Sequence, residues 1–198
     1  MKNSDKIILD LCGGTGSWGK PYKEAGYDYR NITLPEYDVR KYYPPMDTYG
    51  ILAAPECTHF TNSSAQYWML KDMDMRTIDG MGIVLACLRV IAMAQAQSKV
   101  FAFWSLENPV GRLSRWLGKP RLIFNPCDYG DPYTKKTCLW GYFNEPVKNP
   151  VEPVFCYASN GDRYAPYHMK TGGNSARTKQ LRSITPPGFA RAFYEANR

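Results

Sequence analysis

Three short stretches of this 198-residue chain hold residue types that can do chemistry. Asp10-Leu11-Cys12-Gly13-Gly14-Thr15-Gly16 is glycine-rich. Ala53-Ala54-Pro55-Glu56-Cys57-Thr58 sets a cysteine just after a proline, and Glu107-Asn108-Pro109 sets a carboxyl group and an amide before another. Glycines let a backbone approach a cofactor closely, and a helix starting there favours negative charge at its N-terminus. A cysteine thiolate is a strong nucleophile where its surroundings allow the proton to leave. A carboxylic acid nearby can donate a proton or neutralise charge developing on a ring. Each stretch also has a plainer reading: an ordinary strand-to-helix turn, a small buried thiol, a cap or loop carboxylate.

The surrounding pattern decides where these residues stand. Lys6 to Leu11 reads as a buried strand that runs into the glycine turn, with a helix from about Gly19 to Ala25. Tyr29 to Leu34 and Tyr49 to Ala54 read as strands closed by Pro35 and Pro55. Residues 58–79 are mixed and polar, which predicts a mobile loop with some helix. Apolar residues at 83, 84, 87, 88 and 91 predict a helix over Met81 to Ala96. Lys99 to Leu106 is an aromatic-rich strand ended by Glu107, and Arg121 to Phe124 and Cys138 to Phe143 are late strands. Residues 144–182 read mostly as loop, and a last helix spans Pro187 to Ala196. Strands alternating with helices predict an open α/β sheet, whose ligands bind beyond the carboxyl ends of the strands. The glycine turn and Cys57 then share one edge. No G-x-G-x-x-G occurs, so a dinucleotide site fits less well.

Composition narrows the class. With 44% hydrophobic and 22% charged residues the chain can bury a core. No unbroken run of 18 apolar residues exists, so no transmembrane helix and no membrane partner are expected. Met1 to Lys6 is too polar for a signal peptide, which predicts a cytoplasmic protein. The cysteines at 12, 57, 87, 127, 138 and 156 form no C-x-x-C pair, and with two histidines a zinc site is poorly supplied; no metal is expected. The net charge of +7 suits a polyanion, or simply a lysine-rich surface. Fifteen tyrosines and five tryptophans add surfaces on which bases can stack.

Taken in order, the stretches resemble a known family. Asp10-Leu-Cys-Gly-Gly-Thr-Gly16 is similar to the first motif of class I S-adenosylmethionine-dependent methyltransferases. Ala54-Pro55-Glu56-Cys57 resembles the Pro-Pro-Cys motif of the DNA (cytosine-5-)-methyltransferases, and Glu107-Asn108-Pro109 their Glu-Asn-Val/Pro. Asp128-Tyr129-Gly130-Asp131-Pro132 and the following Tyr133, Lys135 and Thr137 stand where the family has D-Y-G-x-P and a glutamine–arginine set. Small size and motif wording look most like the compact bacteriophage members.

The resemblance implies a Rossmann-like open sheet with a reduced target-recognition region: a catalytic core over 1–143, a basic region over 144–182, and a C-terminal helix over 183–198 packing on the core. It implies S-adenosylmethionine as cofactor, held by Asp10, Cys12, Gly13, Gly14, Thr15, Gly16, Glu36, Asp38 and Pro55. Cys57 would be the nucleophile on a flipped cytosine, Glu107 its acid partner and Asn108 a brace. Lys135 would replace the arginine on the cytosine carbonyl. Duplex DNA would meet His59, Lys135, Lys136, Arg163, Lys170, Arg177 and Lys179, with Tyr157, Tyr164, Tyr167 and His168 as stacking or wedge residues and the protein a monomer. Glu56, where the family has proline, would raise the Cys57 pKa. The same motifs also suit an RNA or modified-pyrimidine C5 methyltransferase, or a catalytically silent nucleic-acid-binding member of the fold.

Overall fold

The computed structural model describes residues 1–164 and 175–198. Lys170, Tyr167 and His168 lie outside the described residues. Six strands form one sheet: β1 (Ile7–Leu11), β2 (Asp28–Ile32), β3 (Thr48–Ala53), β4 (Phe103–Pro109), β5 (Leu122–Phe124) and β6 (Thr137–Tyr142). Their order is β2-β1-β3-β4-β6-β5. The first four run parallel, and β6 lies antiparallel between β4 and β5. This open Rossmann-like sheet with one reversed strand is the fold class that the sequence predicts.

Both faces of the sheet are covered, which is why its central strands read as near-continuous apolar runs. On one side Leu9, Leu11, Ile51, Ala53 and Leu106 pack with Val84, Cys87, Val90, Ile91 and Ala94 of helix α3 (Arg76–Gln97). On the other, Ile8, Leu52, Phe103 and Leu139 meet Tyr22 of α1 (Lys20–Glu24) and Phe189, Phe193 and Tyr194 of the C-terminal helix (Pro187–Ala196). Phe124 and Phe189 stack with ring centroids 3.8 Å apart. By length and mean hydropathy α3 could also cross a membrane, which a search for an unbroken apolar run does not anticipate. Its buried residues lie in the core.

Three expectations change. The segment read as a mobile loop with some helix is largely helical: a 3-10 stretch (Asn62–Tyr67), α2 (Trp68–Met73), and α3 beginning already at Arg76. Strand β4 includes Glu107, Asn108 and Pro109, which pair with Leu139, Cys138 and Thr137 instead of following the strand. Residues 144–182 hold a two-strand hairpin, β7 (Cys156–Tyr157) with β8 (Arg163–Tyr164), and most of a helix, α5 (Ala176–Ser183). The short α4 spans Ser114–Leu117, so the C-terminal helix is α6. Ser175 caps α5 by accepting the Thr178 amide at 3.1 Å.

Candidate active site

The carboxyl ends of β1, β2, β3 and β4 and the start of β6 meet at one edge. At the end of β1, the Cys12 amide donates to the Ile32 carbonyl at 2.8 Å, and the chain then turns sharply. Cys12, Gly14 and Gly16 have φ of 57°, 53° and 70°. For a cysteine that conformation costs about 1–2 kcal/mol, a kind of strain that clusters at functional sites. A side chain at position 13 would place Cβ 2.4 Å from Asp10 Cγ and 2.6 Å from Asn31 Oδ1. Asn31 Nδ2 donates to the Gly14 carbonyl at 3.0 Å, while its buried Oδ1 has no hydrogen-bond partner among the described residues. Thr15 is exposed, and the Cys12 sulfur faces Cys87 at 3.9 Å.

Asp10 is fully buried beneath this turn and accepts the Tyr29 hydroxyl at 2.7 Å. Burial pushes its carboxyl up to about 6, with the Tyr29 hydroxyl and the Gly19 amide offsetting part of the rise. Beyond β2, a cavity of about 330 Å³ is lined by Pro35, Glu36, Tyr37, Asp38, Lys41 and Tyr42. Both predicted acids border it, but they differ. Arg40 grips the Asp38 carboxylate with Nε at 2.9 Å and Nη2 at 2.7 Å, holding it down to about 2. Glu36 stays exposed, so it is the acid better placed to meet a ligand hydroxyl.

Across the sheet, Ala53 is in register with Leu106, which brings the Pro55–Cys57 segment beside Glu107 and Asn108. Asn108 is fully buried and donates from Nδ2 to the Pro55 carbonyl at 3.1 Å. Cys57 and Glu107 are each part-exposed. Burial pushes the Cys57 thiol up to about 11, the Glu107 charge adds to the rise, and Lys135 opposes it. Burial likewise raises the Glu107 carboxyl, again against Lys135. The three groups therefore share one electrostatic neighbourhood. Glu56 faces solvent, accepts the Thr58 hydroxyl at 2.6 Å, and is the smallest of the causes acting on Cys57.

The loop after Cys57 is fastened from below. The Cys57 carbonyl accepts the amides of Phe60 and Thr61 at 2.9 and 3.1 Å. Lys71 Nζ donates to the Thr58 carbonyl at 2.6 Å, and Arg112 Nε to the His59 carbonyl at 2.9 Å. Lys71 and Arg112 are both buried, and the sequence reading misses both, because a single cation with no apolar periodicity around it reads as surface. Tyr29 and Asn31 escape it as well, since nothing in the β2 pattern marks a side chain reaching under the turn of β1.

The expected nucleic-acid contacts scatter. The His59 ring packs on α3, where a Cβ at Gly80 would fall 2.9 Å from its Cδ2, and burial lowers its pKa. Lys136 is exposed beside the site. Arg163 lies on the hairpin over the Phe155 ring, 4.1 Å from its centroid, and Arg177 is exposed on α5, which also holds Lys179. Helix α5 reaches the site itself: Lys135 Nζ donates to the Arg182 carbonyl at 2.7 Å. Just beyond, the Thr185 amide donates to Ser17 Oγ at 2.8 Å. Among the described residues no group of three potential metal ligands occurs.

No protein-family model matches this chain, and no curated protein does. Among solved structures, the DhpI-SAM-HEP complex is similar over 85% of this chain and 68% of its own, at 9% identity and a TM-score of 0.29. So remote a likeness carries no function across, and the fold assignment rests on strand order and direction.

Proposed function

We propose that this protein is an S-adenosylmethionine-dependent methyltransferase that acts on C5 of cytosine in duplex DNA. The observation carrying the proposal is the convergence of Cys57, Glu107 and Lys135 at the sheet edge that also bears the glycine turn. The turn suits the cofactor: Gly13 leaves no room for a side chain, Asn31 Oδ1 lacks a partner among the described residues, and Glu36 borders a neighbouring cavity. Asp10, Cys12 to Gly16, Asn31 and Glu36 would hold it, and Pro55 would border it. When bound, S-adenosylmethionine supplies an electrophilic methyl group.

The chain's own residues activate the base. C5 of cytosine is a poor nucleophile until a thiolate adds at C6. As the Cys57 thiol gives up its proton to water and its sulfur bonds to C6, the ring electrons shift toward N3, where the Glu107 carboxyl donates a proton. Burial raises the Glu107 carboxyl and so favours its protonated form, the form which can donate. The ring is then an enamine with a nucleophilic C5. After C5 is methylated, water takes the C5 proton, the C5–C6 double bond re-forms as the S–C6 bond breaks and returns Cys57 as thiolate, and N3 gives its proton back to Glu107. Lys135 keeps positive charge near both acids, though a lysine lacks the planar fork of an arginine.

Covalent trapping tests the proposal. Duplex DNA carrying 5-fluorocytosine cannot lose its C5 substituent as a proton, so it should form a stable adduct at Cys57 when S-adenosylmethionine is present. Cys57→Ala should form none. Wild-type protein that binds DNA yet forms no adduct would support the silent binding reading. Adducts on RNA or on a modified pyrimidine alone would move the substrate.

A further inference from the structure

We infer that Arg112 is a positioning residue for Cys57, locking the nucleophile loop to the strand that carries Glu107; its catalytic consequence rests on the function proposed above. Arg112 follows Glu107 on the same run of chain, past Pro109-Val110-Gly111. Its backbone amide donates to the Phe60 carbonyl at 2.8 Å, and its Nε to the His59 carbonyl at 2.9 Å. The two terminal nitrogens of the guanidinium are held from α2 and α3. Nη1 meets Asp72 Oδ2 at 2.8 Å, and Nη2 meets Thr77 Oγ1 at 2.7 Å, while the Thr77 hydroxyl donates to the other Asp72 oxygen at 2.6 Å. Trp68 lies over the group with its centroid at 4.9 Å. With its side chain 4% exposed, Arg112 must be paired to be tolerated at all.

One residue therefore ties together the Cys57 loop, α2, α3 and the end of β4. The backbones at this junction touch: Thr61 bridges Gly111, the Asn62 amide donates to the Val110 carbonyl at 3.1 Å, and a Cβ at Gly111 would fall 1.9 Å from the Phe60 carbonyl oxygen. The thiol and the acid are thus held on two strands whose tips are joined just behind them. Arg112 acts through geometry, because Lys135 is the cation that acts on the Cys57 and Glu107 charges. Its planar fork spans three partners at once, which the point charge of a lysine cannot do.

The test compares the full-length protein with Arg112→Lys. Two rates are read: hydrogen exchange at the Phe60 and Thr61 amides, and adduct formation at Cys57 with 5-fluorocytosine duplex DNA. Exchange in the loop should quicken about 10-fold, as expected for one lost hydrogen bond, with β1 and β3 unchanged. Adduct formation should slow about 100-fold, the scale of a small misplacement of a reacting group. Affinity for S-adenosylmethionine should stay within about 2-fold, since the glycine turn has no contact with Arg112. Wild-type rates in the variant would overturn the inference, and so would a parallel loss of cofactor affinity, which marks general damage. If wild-type protein itself forms no adduct, the proposed function fails, and loop exchange alone decides: unchanged exchange overturns the positioning role. Should Arg112→Lys not fold, Thr77→Val removes one partner of the fork and is read in the same way.

Discussion

The Asn108 side chain holds the Pro55 carbonyl at 3.1 Å, so the strand end carrying the acid grips the backbone leading to the thiol. Both residues are buried, and no solvent competes for the contact. Asn108→Ala leaves the Pro55 carbonyl without this donor and should destabilise the fold by about 1–3 kcal/mol. Urea unfolding reads this as a lower midpoint at constant slope. A variant as stable as the parent would mean that the contact is inert.

Cys57 should be a slow thiol at neutral pH. With burial and then Glu107 holding its proton on to about 11, iodoacetamide labelling should rise about tenfold per pH unit over the alkaline range below that value. Glu107→Gln removes the neighbouring negative charge, so the Cys57 midpoint should move down and labelling at pH 9 should speed up. Methylation should fall in the same variant, because the proposed proton donor is gone. Labelling and methylation moving together would refute this division of roles.

Asp10 makes a prediction about stability and pH. Its carboxyl binds a proton more tightly in the folded state, at about 6, than an exposed aspartate does at its ordinary 3.8. The folded state thus holds more protons across that window, and stability falls as pH rises from about 4 to 6. The full contribution is present below the lower value and lost above the higher one, an effect of about 3 kcal/mol. Asp10→Asn should remove this component, so the wild-type-minus-variant difference in unfolding free energy should slope downward over the window. A flat difference would count against a buried, proton-retaining Asp10.

Gly13→Ala should damage the turn. The added methyl carbon would meet the Asp10 carboxyl and the Asn31 amide oxygen well inside contact distance, and neither side chain is a loose end. About 1–3 kcal/mol of stability should be lost. Calorimetric affinity for S-adenosylmethionine should drop at least about tenfold while Cys57 labelling is little changed. Retained affinity would separate the turn from the cofactor.

Much of this was legible in the residues. Strand β1 shows because it is buried on both faces and stops at an unmistakable glycine run. Cys57 shows because Pro55 closes β3 just before it. Glu107 misleads: a carboxyl followed by Asn108 and Pro109 reads as the end of a strand, yet their partners Leu139 and Cys138 carry the ladder on. Helix α2 hides because three of its four exposed residues are apolar, Met69, Leu70 and Met73 beside Asp72, while the side chain it buries is Lys71. That inversion defeats any search for an amphipathic face. Helix α5 hides because its residues are mostly polar, leaving only the Ser175 cap as a marker.

The stretch from Arg182 to Thr185 is anchored at both ends to different things: the Arg182 carbonyl to Lys135, and the Thr185 amide to Ser17, with Ser183 Oγ 3.7 Å from where a Cβ at Gly14 would lie. Its length is therefore a ruler between the glycine turn and the Lys135 end of the candidate site. One residue inserted there would force the chain to surrender one anchor, and the anchor it kept would decide which half of the site lost its shape.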